Sequence, residues 1–189
     1  ASGDNTVKVW DAETGEEIHT LEGHTSDVAS ATYSPSGRQI ASGGYDKTVR
    51  LWDAETGKII GTFKGHSQPV RSVAFSPDSK WLVSGGYDKT VKLWNSETGQ
   101  IIRTLKGHTN NIHSVVFSPD GTRIASGGDD NTLKVWNSNT GQEVLTVRGH
   151  STHVVAVAFS PDGKWLASGS LRPESVGKVW DAETGQEML

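Results

Sequence analysis

The chain has 189 residues, 33% of them apolar, with 22 glycines and a net charge of −4. No stretch concentrates Lys and Arg, which argues against nucleic-acid binding and against docking to an anionic membrane. No apolar run reaches the roughly 18 residues of a membrane-spanning helix, and the absence of cysteine excludes disulfides and thiolate metal sites and fits a reducing, cytoplasmic setting.

The chain opens on Ala1-Ser2-Gly3, which reads as the end of a strand, and Thr6–Leu21 reads as a pair of strands. From His24 onward the pattern is complete. Val28-Ala-Ser-Ala-Thr-Tyr33 is short and bounded by turns, and is expected to be a strand (a). In Ser34-Pro35-Ser36-Gly37, Pro presets φ and Gly accepts a positive φ, so a hairpin turn follows. Gln39–Ser42 is the next strand (b), Gly43–Lys47 a turn, Thr48–Trp52 an alternating strand (c), Asp53–Gly57 a turn and Lys58–Phe63 the last strand (d). Three successive hairpins make an antiparallel meander of about five residues per strand.

This unit recurs. Gly-His falls at 23–24, 65–66, 107–108 and 149–150, and Trp at 10, 52, 94, 136 and 180, a step of 42 residues that only the last Trp step exceeds, by two. A fixed period in this range means one supersecondary unit stacked radially, because a single four-stranded sheet buries too little by itself. The expected division is one array, residues 1–189, with a partial blade 1–22, full blades 23–64, 65–106 and 107–148, and a last blade 149–189. Ser79 stands where the other copies have Gly37, Gly121 and Gly163. If that turn needs a positive φ, Ser79 costs on the order of 1 kcal/mol.

Each copy also holds a His, a strand-b Ser, a turn Asp and a strand-c Trp. The sets are His24, Ser42, Asp46 and Trp52; His66, Ser84, Asp88 and Trp94; and His108, Ser126, Asp130 and Trp136. A Ser-His-Asp hydrolytic triad is one reading. A buried hydrogen-bond chain from Trp through Ser and His to Asp, pinning strand c and the b–c turn to the d–a loop, is the other. Catalysis needs one site, whereas a lock is needed in every blade, so the repetition favours the lock and no enzyme is expected.

Gly23-His24, Ser34-Pro35, Ser42-Gly43, Asp46 and Trp52-Asp53, with their counterparts, resemble the WD-repeat β-propeller family along the whole chain. The resemblance implies an all-β toroid of four-stranded antiparallel blades, about four and a half of them here. Strand a would line the central channel and strand d lie outermost. It also implies that the His, Ser, Asp and Trp sets are structural and that the protein is a non-catalytic scaffold for proteins or peptides. Asn95 and Asn137 replace the Asp of the Trp-Asp pair but keep a turn-forming side chain.

Two departures stand out. Four blades and a part do not close a ring with ordinary geometry, and open ends expose apolar sheet faces. Val28 and Ile40 are expected at one exposed end, Val154 and Leu166 at the other. Either the chain is part of a longer array, or a second copy is expected to close the ring as a dimer of about eight blades, with Thr6–Leu21 against the partner's last blade. The second departure is Leu171–Gly177, where the b–c turn is two residues longer. Counting back from Trp180 puts Glu174 at the position of the lock Asp, which leaves the fourth set, His150, Ser168 and Trp180, the least secure.

If the locks are structure, recognition falls to positions that vary between copies. These are Asp27, Pro69, Asn111 and His153 before strand a; Arg71 and His113 inside it; and Tyr45, Tyr87 and Asp129 before the turn Asp. The resemblance puts them on the face formed by the d–a and b–c loops, and Tyr and Arg are enriched at binding hot spots. A protein or peptide partner is expected there. The alternative is a structural or engineered self-assembling propeller with no specific ligand, which the near-identity of the copies fits. His113, His150 and His153 raise the question of a metal, but His150 belongs to a lock and no carboxylate stands at ligand-like spacing. No metal or cofactor is expected.

Overall fold

The structure is a computed structural model that describes residues 3–171 and 173–188. Ala1 and Ser2 of the expected strand end, and Arg172 of the irregular turn, lie outside the described residues. The described residues form strands and turns with no helix. A two-stranded sheet comes first, β1 (Val7–Trp10) with β2 (Glu17–Leu21). Three four-stranded antiparallel meanders follow: β3 (Val28–Tyr33) to β6 (Ile59–Lys64), β7 (Val70–Phe75) to β10 (Ile101–Lys106), and β11 (Ile112–Phe117) to β14 (Glu143–Arg148). The last sheet has β15 (Val154–Phe159), β16 (Trp165–Ser170) and β17 (Gly177–Asp181), and a Trp180–Glu187 bridge starts a fourth line of pairing.

The core lies between sheets. Ala41, Val49, Leu51 and Phe63 of one blade pack on Val70, Val73, Phe75, Leu82 and Trp94 of the next. Val83, Val91, Leu93 and Leu105 then meet Ile112, Val115, Ile124 and Trp136, and Ala125, Leu133, Val135 and Val147 meet Val154, Val157, Leu166 and Trp180. Strand b explains how the sheets come so close. The expected turn residues Gly43 and Gly44 are the end of strand β4, paired with Val49 and Val28. A Cβ on Gly43 would stand 2.7 Å from Val70 Cγ1 of the next blade, so the two sheets would have to move apart or Val70 shift to admit it. Polar stitches join the same interfaces: the N–H groups of Val73, Val115 and Val157 donate to Ser30, Ser72 and Ser114 Oγ of the preceding blade.

The ends of the arc correct one expectation. Val28, Ile40, Val154 and Leu166 are all buried. Ile40 is covered by Val9 and Leu21 of the partial blade, while Val154 and Leu166 face back toward the third blade. The exposed apolar positions are Ala31 and Tyr33 at one end and Ala156, Ala158 and Ala167 at the other. At the first end the reason is the cover given by the partial blade; at the second, strand alternation sends Leu166 and Ala167 to opposite faces, and a pairing shift separates Val154 from Ala156.

Each strand a is irregular at its second residue. The pairing shifts between Val28 and Ser30, Val70 and Ser72, Ile112 and Ser114, and Val154 and Ala156. Such a bulge leaves one residue out of the ladder and re-aims its side chain. The residues so placed are Ala29, Arg71, His113 and Val155.

Ser79 adopts φ +62°, against +71°, +72° and +71° for Gly37, Gly121 and Gly163. A left-handed conformation costs a side-chain-bearing residue about 1 kcal/mol. Its hydroxyl accepts a bond from Ser36 N–H at 3.2 Å, but that site is exposed and water replaces it. Ser79→Gly should therefore raise the unfolding free energy by roughly 0.5–1 kcal/mol. A lowered urea midpoint would contradict this.

Candidate functional site

The four repeated sets each close into one hydrogen-bonded chain. Trp52 Nε1–H donates to Ser42 Oγ at 2.8 Å, His24 Nε2 lies 2.8 Å from the same oxygen, and His24 Nδ1 lies 2.9 Å from Asp46 Oδ2. The second blade has 2.8, 2.7 and 2.9 Å for Trp94–Ser84, His66–Ser84 and His66–Asp88. The third has 2.9, 2.8 and 2.8 Å for Trp136–Ser126, His108–Ser126 and His108–Asp130. The proton order follows from the ends. Indole can only donate, so the Ser hydroxyl spends its own proton on His Nε2. That leaves the His proton on Nδ1, aimed at the carboxylate. The carboxylate also accepts from the backbone N–H of Thr25, Ser67 or Thr109 and from the hydroxyl of Thr48, Thr90 or Thr132. A substrate carbonyl has no path to the Ser oxygens, because Ser42, Ser84 and Ser126 have no exposed surface.

The fourth blade reaches the same end by another route. His150 Nε2 and Trp180 Nε1 each lie 2.7 Å from Ser168 Oγ. Glu174 Oε2 lies 3.1 Å from His150 Nδ1 and accepts from Ser151 N–H. Val176 stands where the other blades have a capping Thr and offers no hydroxyl. The longer turn thus supplies its carboxylate on a longer side chain.

Burial pushes the lock carboxylates up, but their hydrogen bonds outweigh it. For Asp46 these come chiefly from Thr48 and Thr25, then His24; for Asp88 and Asp130 the histidine comes first. All three are held below the ordinary aspartate value of 3.8. Burial lowers His24 below its ordinary 6.5, against the pull of Asp46.

In the first three full blades the variable position of the b–c turn immediately precedes the lock carboxylate. The backbone N–H groups of Tyr45, Tyr87, Asp129 and Leu171 donate to the carbonyls of Asp27, Pro69, Asn111 and His153. In every blade this ties the b–c turn to the d–a loop. The Tyr45 and Tyr87 hydroxyls lie 3.4 Å apart and the rings meet edge to face at 6.0 Å. The His113 ring meets Tyr87 at 5.9 Å. Asp129 Oδ1 lies 2.5 Å from His113 Nε2 and 2.9 Å from His153 Nδ1. These five side chains, contributed by four blades, form one continuous track. Arg71 projects from its bulge close enough for its charge to act on Tyr87, whose phenol is pushed up first by burial and then by the Tyr45 hydroxyl. Asp27, Pro69 and Asn111 take part in these loop contacts only through their carbonyls.

One grouping escaped the sequence. His113, Asp129 and His153 are a set of three ligand-type side chains, with donor atoms within 4.8 Å of one another. The expectation that no carboxylate stands at ligand-like spacing is therefore corrected. Linear spacing hides the set because two loops and a strand from two blades contribute to it. Comparing the three equivalent positions blade by blade would have found it.

The locks generate two tests. Asp88→Ala strands the buried His66 N–H and should cost about 1–3 kcal/mol of stability, read as a lower urea midpoint. Acid should also destabilise the fold. Carboxylates with folded-state values below their unfolded ones contribute stability above about pH 4 and lose it as pH falls through the folded value. A His lowered by burial, as His24 is, adds to this below its ordinary 6.5, where the unfolded chain binds a proton that the folded chain does not. The thermal midpoint should fall steadily between neutral pH and pH 3, and a flat profile would contradict the assignment.

Residues 69–188 match the family model described as the IFT122 first beta-propeller, and residues 15–53 match the WD domain, G-beta repeat. The chain is 46% identical over 46 residues to the guanine nucleotide-binding protein G(I)/G(S)/G(T) subunit beta-1 of Homarus americanus, covering 24% of this chain and 14% of that protein. It is 44% identical over 41 residues to ribosome assembly protein 4 of Saccharomyces cerevisiae, covering 22% and 8%. It is 48% identical over 46 residues to nuclear distribution protein PAC1 of Arthroderma benhamiae, covering 24% and 10%. Each match thus spans a small part of the relative's length, about one repeat. With a family model covering residues 69–188, the repeated locks and the stacked four-stranded sheets, the chain belongs to the WD-repeat β-propeller family.

Proposed function

We propose that the chain is a non-catalytic scaffold that binds a protein or peptide across the face built by the d–a and b–c loops. Proteins of this family generally mediate protein–protein interaction and are typically not enzymes. The observation behind the choice of face is the Tyr45–Tyr87–His113–Asp129–His153 track. Its members occupy positions that differ between copies, so the fold does not require them, yet they touch across blade boundaries. Two tyrosines with an adjacent arginine offer large, partly exposed, amphipathic area that loses little conformational entropy on binding. Peptides selected by display against the chain should be titrated into a Tyr45→Ala/Arg71→Ala/Tyr87→Ala variant. We expect an affinity loss of about 2 kcal/mol or more with an unchanged unfolding midpoint. Full affinity in the variant would move the site elsewhere, to the outer strands first.

A second reading, self-assembly, is favoured by one contrast. Ala167 is exposed, whereas its counterparts Ala41, Val83 and Ala125 are fully buried under the next blade. A second copy presenting its Ala31 and Tyr33 end to this face would close the arc as a dimer. Light scattering on the 189-residue chain should then give twice the monomer mass, and a stable monomer in dilute solution would refute the dimer.

A further inference from the structure

His113, Asp129 and His153 meet at the junction of the third and fourth blades. His113 comes from the bulge of β11, Asp129 from the b–c turn of the same blade, and His153 from the loop entering β15. We propose that these three residues form a binding site for a divalent transition ion, Zn2+ foremost, with two imidazole nitrogens and one carboxylate oxygen as ligands.

The donor set is of the type that borderline-soft first-row ions take, and three protein ligands leave an outward position open to water. The donor atoms already converge, within 4.8 Å of one another. An ion at normal bond lengths needs its donors roughly 3.3 Å apart, and the two separations to Asp129 Oδ1 are 2.5 and 2.9 Å. Along those two edges the set has to open by less than about 1 Å. It has the means, because the ligands differ in freedom. The side chains of His113 and Asp129 are 15% and 12% exposed and that of His153 is 49% exposed. Asp129 is further fixed by its N–H bond to the Asn111 carbonyl. Two donors are thus held in place and the third can turn. Without the ion, both ring N–H groups point at one carboxylate oxygen. With it, each neutral ring would carry its single proton on the other nitrogen, and the Asp129 carboxylate would offset one of the ion's two charges.

A purely structural role for the set is opposed by the other junctions. The equivalent positions are Ala29, Tyr45 and Pro69 between the first and second full blades, and Arg71, Tyr87 and Asn111 between the second and third. Both junctions close without any ligating set. Among the described residues the cluster occurs once, in an array whose structural devices recur from blade to blade. The three residues also belong to the proposed recognition track, but the proposal does not rest on that reading and its test needs no partner.

Zinc chloride titrated into the chain by calorimetry should show one bound ion per chain, and cobalt(II) should give visible d–d bands as it enters the same site. His153→Ala and Asp129→Asn should each weaken binding by roughly an order of magnitude or more and abolish the cobalt bands. His19→Ala, on the outer strand β2, should change neither. Absence of an equimolar ion in the parent chain, or equal affinity in the His153→Ala variant, would overturn the site. His153 is half exposed, so its variant keeps the fold and decides the question even if Asp129→Asn does not.

Discussion

The arrangement rests on one buried hydroxyl per blade. Ser42, Ser84, Ser126 and Ser168 each accept from a Trp on strand c and meet a His from the d–a loop, and that His reaches a carboxylate in the b–c turn. Every polar group along the path is satisfied, as a buried network requires if it is to stabilise rather than cost. The path ties strands b and c, which a backbone ladder already pairs, to the d–a loop and the b–c turn. Without it the d–a loop and the b–c turn would be tied to each other only by the backbone bond from Tyr45 N–H to the Asp27 carbonyl and its counterparts. With it, they are fixed from beneath by a chain of bonds running into the blade.

Packing supplies the other half of the stability and distributes it differently. The hydrophobic clusters lie between successive blades, and each blade is therefore stabilised by its neighbours, as in other stacked arrays. Small strand-b residues make this possible. Gly43, Gly85 and Gly127 admit the valine or isoleucine methyls of the next blade to distances at which a Cβ would clash. The same closeness lets Ser30, Ser72 and Ser114 bond to the neighbouring strand. Ala156 stands at this position in the last blade and offers no hydroxyl.

Much of this was legible in the sequence because the repeat prints each element several times. The 42-residue step, the Ser-Pro turns and the alternating strand c located the strands closely. The misses have physical causes. Gly43-Gly44 reads as a turn by composition but pairs within the sheet, since its glycines serve close approach and not chain reversal. The bulge that aims Arg71 and His113 outward has no compositional mark. The exposed end residues were misjudged because the face a residue occupies depends on strand parity and on the cover given by β1 and β2. The His113–Asp129–His153 grouping is a product of stacking and exists in no linear segment.

The fourth blade shows how such a fold can vary its face without losing its frame. Its b–c turn carries two extra residues and an ordinary aspartate is missing, yet Glu174 sets a carboxylate oxygen 3.1 Å from His150. The lock therefore selects where a carboxylate sits and not how the backbone reaches it. An extra methylene absorbs the altered path, and Leu171 N–H still meets the His153 carbonyl, as its counterparts do in the other blades. The residues just before that carboxylate are released from the constraint. They are the positions at which the copies differ, with Tyr45, Tyr87, Asp129 and Leu171 at one equivalent place. In the first three full blades the buried carboxylate and the variable position thus sit a single residue apart along the chain, and in the fourth the longer turn separates Leu171 from Glu174 by three.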